Sequence, residues 1–411
     1  MLSPRGGIGI CGVGAVTGYG WGQQALWEGL RTAKPAAVLT PGYGCGTGDT
    51  GDTGDTGDTG DTGDDRGISR AEDGWVARVP EGGDPTDGRG RFARAMRAAA
   101  REAIEDAHRR GWKEGRTVGL LHAVVLGEVE LWRDFYLREH GDLRARDYLA
   151  LMPSTPMSTL MQEYGFHGPA MNVSAMCASG NAALLTAKLW LDAGVVDDVV
   201  LVATDLSLTP ENVRHFVRLG VTVVDTDPLD GCRPFQEGSR GFVMGEAAVG
   251  FVLSRRSGTP YTTLLGGAMS HDAHHATSID PELTQVRRSF REALDNAGVR
   301  ADAVGYLNAH GPGTRQCDTA EAAIADELFP DGVGLYSVKP LVGHCQGAAA
   351  AVEVAVTALG YERGQVPAPP QVARAHPRLL HGLVDVDDRL TVKSSLGMGG
   401  HNSVVVLAPP A

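Results

Sequence analysis

Short apolar runs rich in β-branched residues alternate along this chain with stretches whose apolar residues recur at helical spacing. Residues 118–127, 199–204 and 242–253 read as strands, and residues 92–110 and 282–297 as amphipathic helices. Strands so uniformly apolar are covered on both faces, which calls for sheets packed between helices, an α/β fold. A chain of 411 residues has ample core for one large or two fused α/β halves.

Four corners of that alternation carry reactive or unusually small residues. The segment Asn172-Val-Ser-Ala-Met-Cys-Ala-Ser-Gly-Asn181 passes from an extended run through a small-residue turn into a helix, with Cys177 at the corner. A thiol placed there meets the positive end of the helix, which favours thiolate, and free backbone N–H groups that can hold an oxyanion. His310 stands at the exit of an apolar strand, before Gly311-Pro-Gly313. His344 follows a strand ending at Lys339 and opens a long Ala/Val-rich helix. The fourth corner, Ser394-Ser-Leu-Gly-Met-Gly-Gly-His-Asn-Ser403, is a glycine-rich turn between apolar strands, where backbone can approach a ligand closely. A lone cysteine is usually a small buried hydrophobe, and a lone histidine a satisfied structural residue. These differ because each sits at a junction where α/β folds assemble active sites.

Charge and composition narrow the function. A formal net charge of −13 argues against nucleic acid, which needs a basic face. No run reaches the roughly 20 apolar residues of a membrane span, and the glycine-punctuated N-terminal stretch reads as a strand rather than a signal peptide. Cysteines 11, 45, 177, 232, 317 and 345 form no close-set framework, so a reducing cytoplasm is expected. Gly7-Ile-Gly-Ile-Cys-Gly12 fits G-x-G-x-x-G, but its glycines lie within the strand rather than after it, so no nicotinamide site is expected. Residues 48–62 are five copies of Gly-Asp-Thr, running into Gly63-Asp-Asp65. They read as an inserted surface loop, lacking the hydrophobic positions of calcium-binding repeats.

In order along the chain, several further blocks join the four corners: Gly7 to Val16, Arg233-Pro-Phe235, Gly241-Phe-Val-Met-Gly-Glu246 and Ser270-His-Asp-Ala273. With them the chain resembles, over nearly its whole length, the elongating β-ketoacyl-acyl-carrier-protein synthases, condensing enzymes of the thiolase superfamily. The resemblance implies a thiolase-like fold of two βαβαβαββ halves in five α-β-α-β-α layers. Residues 1–255 would carry the nucleophile, with 48–65 as a loop, and residues 256–411 both histidines. It implies that Cys177 takes an acyl group from a carrier-protein thioester. His310 and His344 would then steady the enolate formed when a malonyl thioester loses carbon dioxide. Lys339 would orient the histidines by pairing with Glu353 or Glu321, while Asp318 and Glu321 would support them. The N–H groups of Cys177 and Met398 would form the oxyanion hole, and Met398, Gly399 and Gly400 the substrate gate. No metal or organic cofactor is implied. The implied partners are acyl- and malonyl-loaded carrier proteins and a second copy of the chain, or a chain-length-factor-like subunit in its place.

Departures from the family pattern cluster around the substrate rather than the Cys-His-His set. Met398 stands where elongating synthases carry a gating Phe, and Met176 where a smaller residue is usual. Pro312, Pro340, Cys345, Gln236 and Arg315-Gln316-Cys317 also differ. They point to a polyketide or unusual fatty-acyl pathway more than to housekeeping fatty-acid elongation. Two other readings compete. A chain-length-factor-like subunit would usually lack the nucleophile that this chain keeps. An acyltransferase without decarboxylation would use the same cysteine. For docking an acidic carrier, the Arg-rich residues 131–146 are the candidate patch, with a solvated mixed-charge helix as the alternative.

Overall fold

Two successive runs of the chain build the same order of elements. In this computed structural model, which describes residues 6–44, 72–137, 145–330 and 332–410, the first run opens with β1 (Ile8–Thr17), α1 (Arg91–Arg109), β2 (Val118–Ala123) and α2 (Ser154–Tyr164). It continues through β3 (Ala170–Val173), α3 (Ser179–Asp192), β4 (Asp198–Asp205) and β5 (Ala247–Ser254). The second repeats the pattern with β6 (Thr262–His271), α4 (Thr284–Ala297), β7 (Val304–Asn308) and α5 (Arg315–Leu328). It ends with β8 (Gly334–Tyr336), α6 (Ala349–Arg363), β9 (Leu390–Gly397) and β10 (His401–Ala408). The strands line up as β3-β2-β4-β5-β1 and β8-β7-β9-β10-β6, so both runs share one strand order. In each, the first two pairings are parallel and the last two antiparallel.

The two ladders are not separate. β1 and β6 pair antiparallel at Ile8–Leu264, Gly9–Thr263 and Ile10–Thr262, so one mixed sheet folds back around the middle of the molecule. α3 and α6 fill that middle. α3 touches β2 and β4 on one side and β10 and β6 on the other, while α6 spans β5, β1, β9 and β6. α1 covers the outside of β1, β5 and β4, and α4 that of β6 and β10, completing the five-layered thiolase-like fold. Every residue of β4 and β5 is buried, as the apolar runs require.

Small residues set the closest approaches. A side chain at Gly12 would sit 2.1 Å from the Ala103 carbonyl oxygen, and one at Gly14 would sit 2.1 Å from that of Ala99. The glycines of the first strand therefore seat α1 on the sheet. A side chain at Gly180 would come within 2.7 Å of the Ala351 nitrogen, so α3 and α6 cross with their N-terminal ends almost touching. That crossing brings the cysteine corner of the first run to the histidine corner of the second.

Several boundaries differ from the sequence reading. The strand expected over 242–253 starts only at Ala247, because Phe242 and Met244 bridge instead to Thr222 and His344. Here the Val243 carbonyl accepts from the His344 N–H at 2.7 Å, tying one loop to another. The strand over 118–127 stops at Ala123. The strand before His344 ends at Tyr336; Lys339 opens a short helix, Lys339–Val342, with Pro340 in its first turn, where a missing N–H costs nothing. The long helix begins at Ala349, after a 3-10 turn at Gln346–Ala348, rather than at His344. The Gly-Asp-Thr repeat lies outside the described residues. No described helix is long and apolar enough to cross a membrane.

Candidate active site

The corner before α3 is held by its own backbone. Met176 adopts φ +50°, a conformation that a non-glycine residue enters at a cost of about 1–2 kcal/mol. Ser179 Oγ donates to the Met176 carbonyl at 2.6 Å and accepts from the Ala175 N–H at 2.8 Å, which fixes the turn. The Ser395 hydroxyl on β9 donates to the Cys177 carbonyl at 2.9 Å. Cys177 is buried, and burial pushes its thiol up to about 11. Lys339 and the backbone N–H groups of Met398 and Cys177 pull the other way without prevailing. The sequence pointed to a thiolate here, but desolvation outweighs those stabilising groups and the resting group is the thiol. The same two N–H groups are the pair expected for the oxyanion hole, and both face the sulfur.

His310 and His344 are also buried, with ring centroids 5.4 Å apart and ring planes at 78°. Their hydrogen-bond partners assign the tautomers. The Gln346 N–H donates to His344 Nδ1 at 3.1 Å, so that nitrogen carries a lone pair and Nε2 carries the proton. His310 Nδ1 lies 3.4 Å from the Lys339 ammonium, which can only donate, and the same conclusion follows. Burial holds both imidazoles well below their usual 6.5, with Lys339 as the next cause for each. Both rings are neutral at pH 7 and each has an Nε2–H to donate.

Five buried ionisable side chains hold this arrangement. The Lys339 ammonium donates to the His310 carbonyl and to Glu353 Oε1. This settles its partner as Glu353 rather than Glu321. Lys393 on β9 lies 2.7 Å from the other oxygen of Glu353, so one carboxylate serves two ammonium groups. Burial lowers the Lys393 pKa while Glu353 raises it. Glu321 on α5 accepts from the N–H groups of His310 at 2.8 Å and Gly311 at 2.7 Å, and from Ser394 Oγ at 2.6 Å. Asp318 accepts from Phe235 N–H at 3.2 Å and Gly313 N–H at 3.1 Å; burial pushes its carboxyl up to about 7. Glu321 holds the His310–Gly311 backbone and Ser394, Asp318 holds loop backbone, and neither lines the cavity around Cys177.

Cys177, His310 and His344 line one cavity of about 410 Å³, together with Phe216, Phe242 and Met398. Such a volume lies within the roughly 300–1,000 Å³ range of small-molecule pockets. Met398, half-buried, and Gly399 and Gly400, at φ +85° and +88°, form the turn from β9 to β10 over this cavity. The Cys177 sulfur and one nitrogen of each histidine lie within 4.8 Å of one another, a spacing that also suits metal ligands. They do not fit a metal. Both Nδ1 atoms face N–H donors, so both Nε2 atoms keep their protons, and an ammonium adjoins one ring. Of the Arg-rich stretch, Arg133 is tied to Glu211 at 3.0 Å and residues 138–144 lie outside the described residues. The cations that line the cavity, among the described residues, are Arg240 and Arg315.

Sequence reading missed three members of this site. Lys393 shares Glu353, Ser394 steadies Glu321, and Phe242 sets its ring against His344 with centroids 4.6 Å apart. For Lys393 a signal existed: it is a charged residue inside the otherwise uncharged strand Leu390–Gly397. Ser394 and Phe242 lie inside blocks already singled out, but nothing in those blocks gives either side chain its partner.

With this geometry established, comparison with known proteins places the chain. The model of the β-ketoacyl synthase N-terminal domain matches residues 6–258, and that of the C-terminal domain residues 261–372. The chain is similar to the oxytetracycline polyketide putative β-ketoacyl synthase 1 of Streptomyces rimosus, at 32% identity over 343 residues, covering 76% of this chain and 79% of that one. It is also similar to the chloroplastic 3-oxoacyl-[acyl-carrier-protein] synthase I of Hordeum vulgare, 29% identical over 334 residues, covering 77% and 72%. Its fold matches a chain from a type II polyketide ketosynthase complex with its acyl-carrier protein, with TM-score 0.82, 22% identity and coverage of 99% and 100%. A chain of the ishigamide ketosynthase/chain length factor matches with TM-score 0.80, also at 22% identity, covering 99% and 100%.

Proposed function

The chain belongs to the β-ketoacyl synthase family, enzymes of condensation in fatty-acid and polyketide biosynthesis, and we propose that it is a decarboxylative ketosynthase of a polyketide or unusual fatty-acyl pathway. One observation carries the reading: a buried thiol and two neutral imidazoles, each with its proton on Nε2, converge on a single cavity. Cys177 sulfur attacks the carbonyl of an acyl-carrier thioester as its S–H bond breaks, and that proton ends on the departing carrier sulfur. The oxyanion forms against the N–H groups of Cys177 and Met398, the carrier thiol leaves, and the acyl group remains on sulfur. A malonyl thioester then enters. Its carboxylate leaves as carbon dioxide, and the electron pair moves onto the thioester oxygen, where two Nε2–H groups donate to it. The enolate carbon attacks the acyl-cysteine carbonyl, the carbon–sulfur bond breaks, and the cysteine sulfur takes a proton.

Lys339 positions rather than reacts. Its ammonium holds the His310 lone pair on Nδ1 and so keeps the proton directed at the substrate. Met398 in the gate, thinner and more flexible than an aromatic ring, fits acyl groups other than the usual straight chain. An intact nucleophile favours a catalytic subunit over a chain-length-factor-like one. The division into residues 1–255 and 256–411 belongs to the same reading. So do an acyl-carrier protein as donor and a homodimer, or a heterodimer with a chain-length-factor-like subunit.

The test is to mix the purified protein with acyl- and malonyl-carrier proteins and weigh the products. The expected result is the acyl mass on the Cys177 peptide, then carbon dioxide and a β-ketoacyl-carrier product. Acylation followed by transfer without carbon dioxide release would make it a plain acyltransferase.

A further inference from the structure

The Gln346 side chain belongs to the reactive cavity but to none of the roles above. It lines the cavity with Cys177 and His344, is only 8% exposed, and its side-chain Nε2 is buried with no hydrogen-bond partner. Its backbone is committed elsewhere: φ is +43°, and its N–H is the donor that fixes His344 Nδ1 at 3.1 Å. The side chain is therefore carried by a backbone that the histidine needs, yet its Nε2 has nothing to bond. A buried amide donor left unpaired is uncommon in a folded protein and calls for a reason. The cavity lining also includes Phe216, Leu219, Val221 and Phe242, apolar side chains, beside polar ones such as Ser239 and Thr314, none of which bonds Gln346 Nε2.

Resting on the ketosynthase reading, we infer that Gln346 is a specificity residue selecting acyl groups that carry an oxygen on the chain over saturated ones. A saturated chain filling the cavity leaves the amide unpaired and removes water that could have served it. A ketone oxygen on the chain accepts from Nε2, and because the terminal torsion of glutamine is soft, a hydroxyl can instead donate to Oε1. A site with a buried polar group rejects the analogue that lacks its partner, by roughly five- to a hundredfold where one neutral hydrogen bond is at stake.

The experiment compares rates of Cys177 acylation from matched thioester pairs differing by one ketone, acetoacetyl against butyryl and levulinyl against valeryl, read by peptide mass spectrometry. Wild-type protein is expected to favour the ketone in at least one pair by about fivefold or more. Gln346→Met, close in length and without the amide, is expected to bring that ratio to about one. Gln346→Leu is measured beside it, so that a poorly folded variant is recognised by its thermal melt and replaced. Equal rates for both pairs in the wild type, or a ratio that survives in the folded variant, overturn the role of Gln346 alone. Failure of every donor to label Cys177 in the wild type overturns the ketosynthase reading along with it.

Discussion

The two runs of the chain share element order and strand order, yet they contribute to the site by different physical means. The first presents its reactive group through backbone geometry. Cys177 is aimed by the strained Met176 and the Ser179 hydroxyl, and the buried pair of that run, Arg91 with Glu246 at 2.8 Å, fastens the Val79 loop instead of a reactive side chain. The second surrounds its reactive groups with charge: Lys339, Lys393, Glu353 and Glu321 bond to one another or to the backbone around His310. A nucleophile needs position above all, since the sulfur changes its bonding in the reaction. Hydrogen-bond donors need a fixed protonation state as well: burial keeps both imidazoles neutral, and the neighbouring charges and N–H donors choose which nitrogen holds the proton.

The contrast can be broken most directly at its centre. Cys177→Ala should lower acylation from a carrier-protein donor by ~10³-fold or more, as removal of a covalent nucleophile does. A variant still labelled elsewhere at the wild-type rate would end the assignment. Next in size is Glu353→Gln, which leaves two buried ammonium groups facing a neutral amide. Removing one partner of a buried ion pair typically costs about 3–5 kcal/mol, to be read from urea denaturation. A loss below about 1 kcal/mol would show that the charge cluster is not what holds the second run together.

His344→Ala separates the two contributions. Acylation should persist while malonyl decarboxylation falls by roughly 10²–10³-fold, the usual effect of losing one oxyanion donor. Equal loss of both steps would mean that the division of labour between the runs is not real. The pH dependence sharpens the same point. With the Cys177 thiol raised to about 11, the thiolate fraction grows as pH rises. Its alkylation by iodoacetamide should therefore climb about tenfold per pH unit through the neutral range. With both imidazoles held well below 6.5, decarboxylation should show no break as pH falls through that value. An alkylation rate already level at neutral pH would place the thiol lower than burial puts it. The smallest effect belongs to the gate. Met398→Phe should shift the acyl-chain profile by a few-fold, ~1 kcal/mol, because a pocket discriminates weakly among apolar shapes. An unchanged profile would remove Met398 from substrate choice.

Much of the site was legible because its parts are local. Cys177, His310, His344 and Met398 each sit in a short block whose residues build their own turn, so nearby glycines and small residues announce them. Glu321 and Asp318 follow His310 on the next helix and were implied by the family resemblance. Lys393 showed only as a lone charge in its strand and Gln346 not at all, since the Glu353 partner of the one and the unpaired amide of the other are set by packing. The thiolate expectation failed for the same reason: a helix end is visible in sequence, but the depth of burial that outweighs it is not.

The sequence by itself determined the alternation of elements, the reactive corners and the family to which they belong, because each depends on residues close along the chain. Only the tertiary structure decided that the two ladders join at β1 and β6, that Glu353 rather than Glu321 takes Lys339, and that both histidines carry their protons on Nε2. Those outcomes depend on which groups are neighbours in a medium of low dielectric, and neighbours of that kind are chosen by packing. Gly180 against Ala351 is one such contact, since without a side chain there two helix ends can meet.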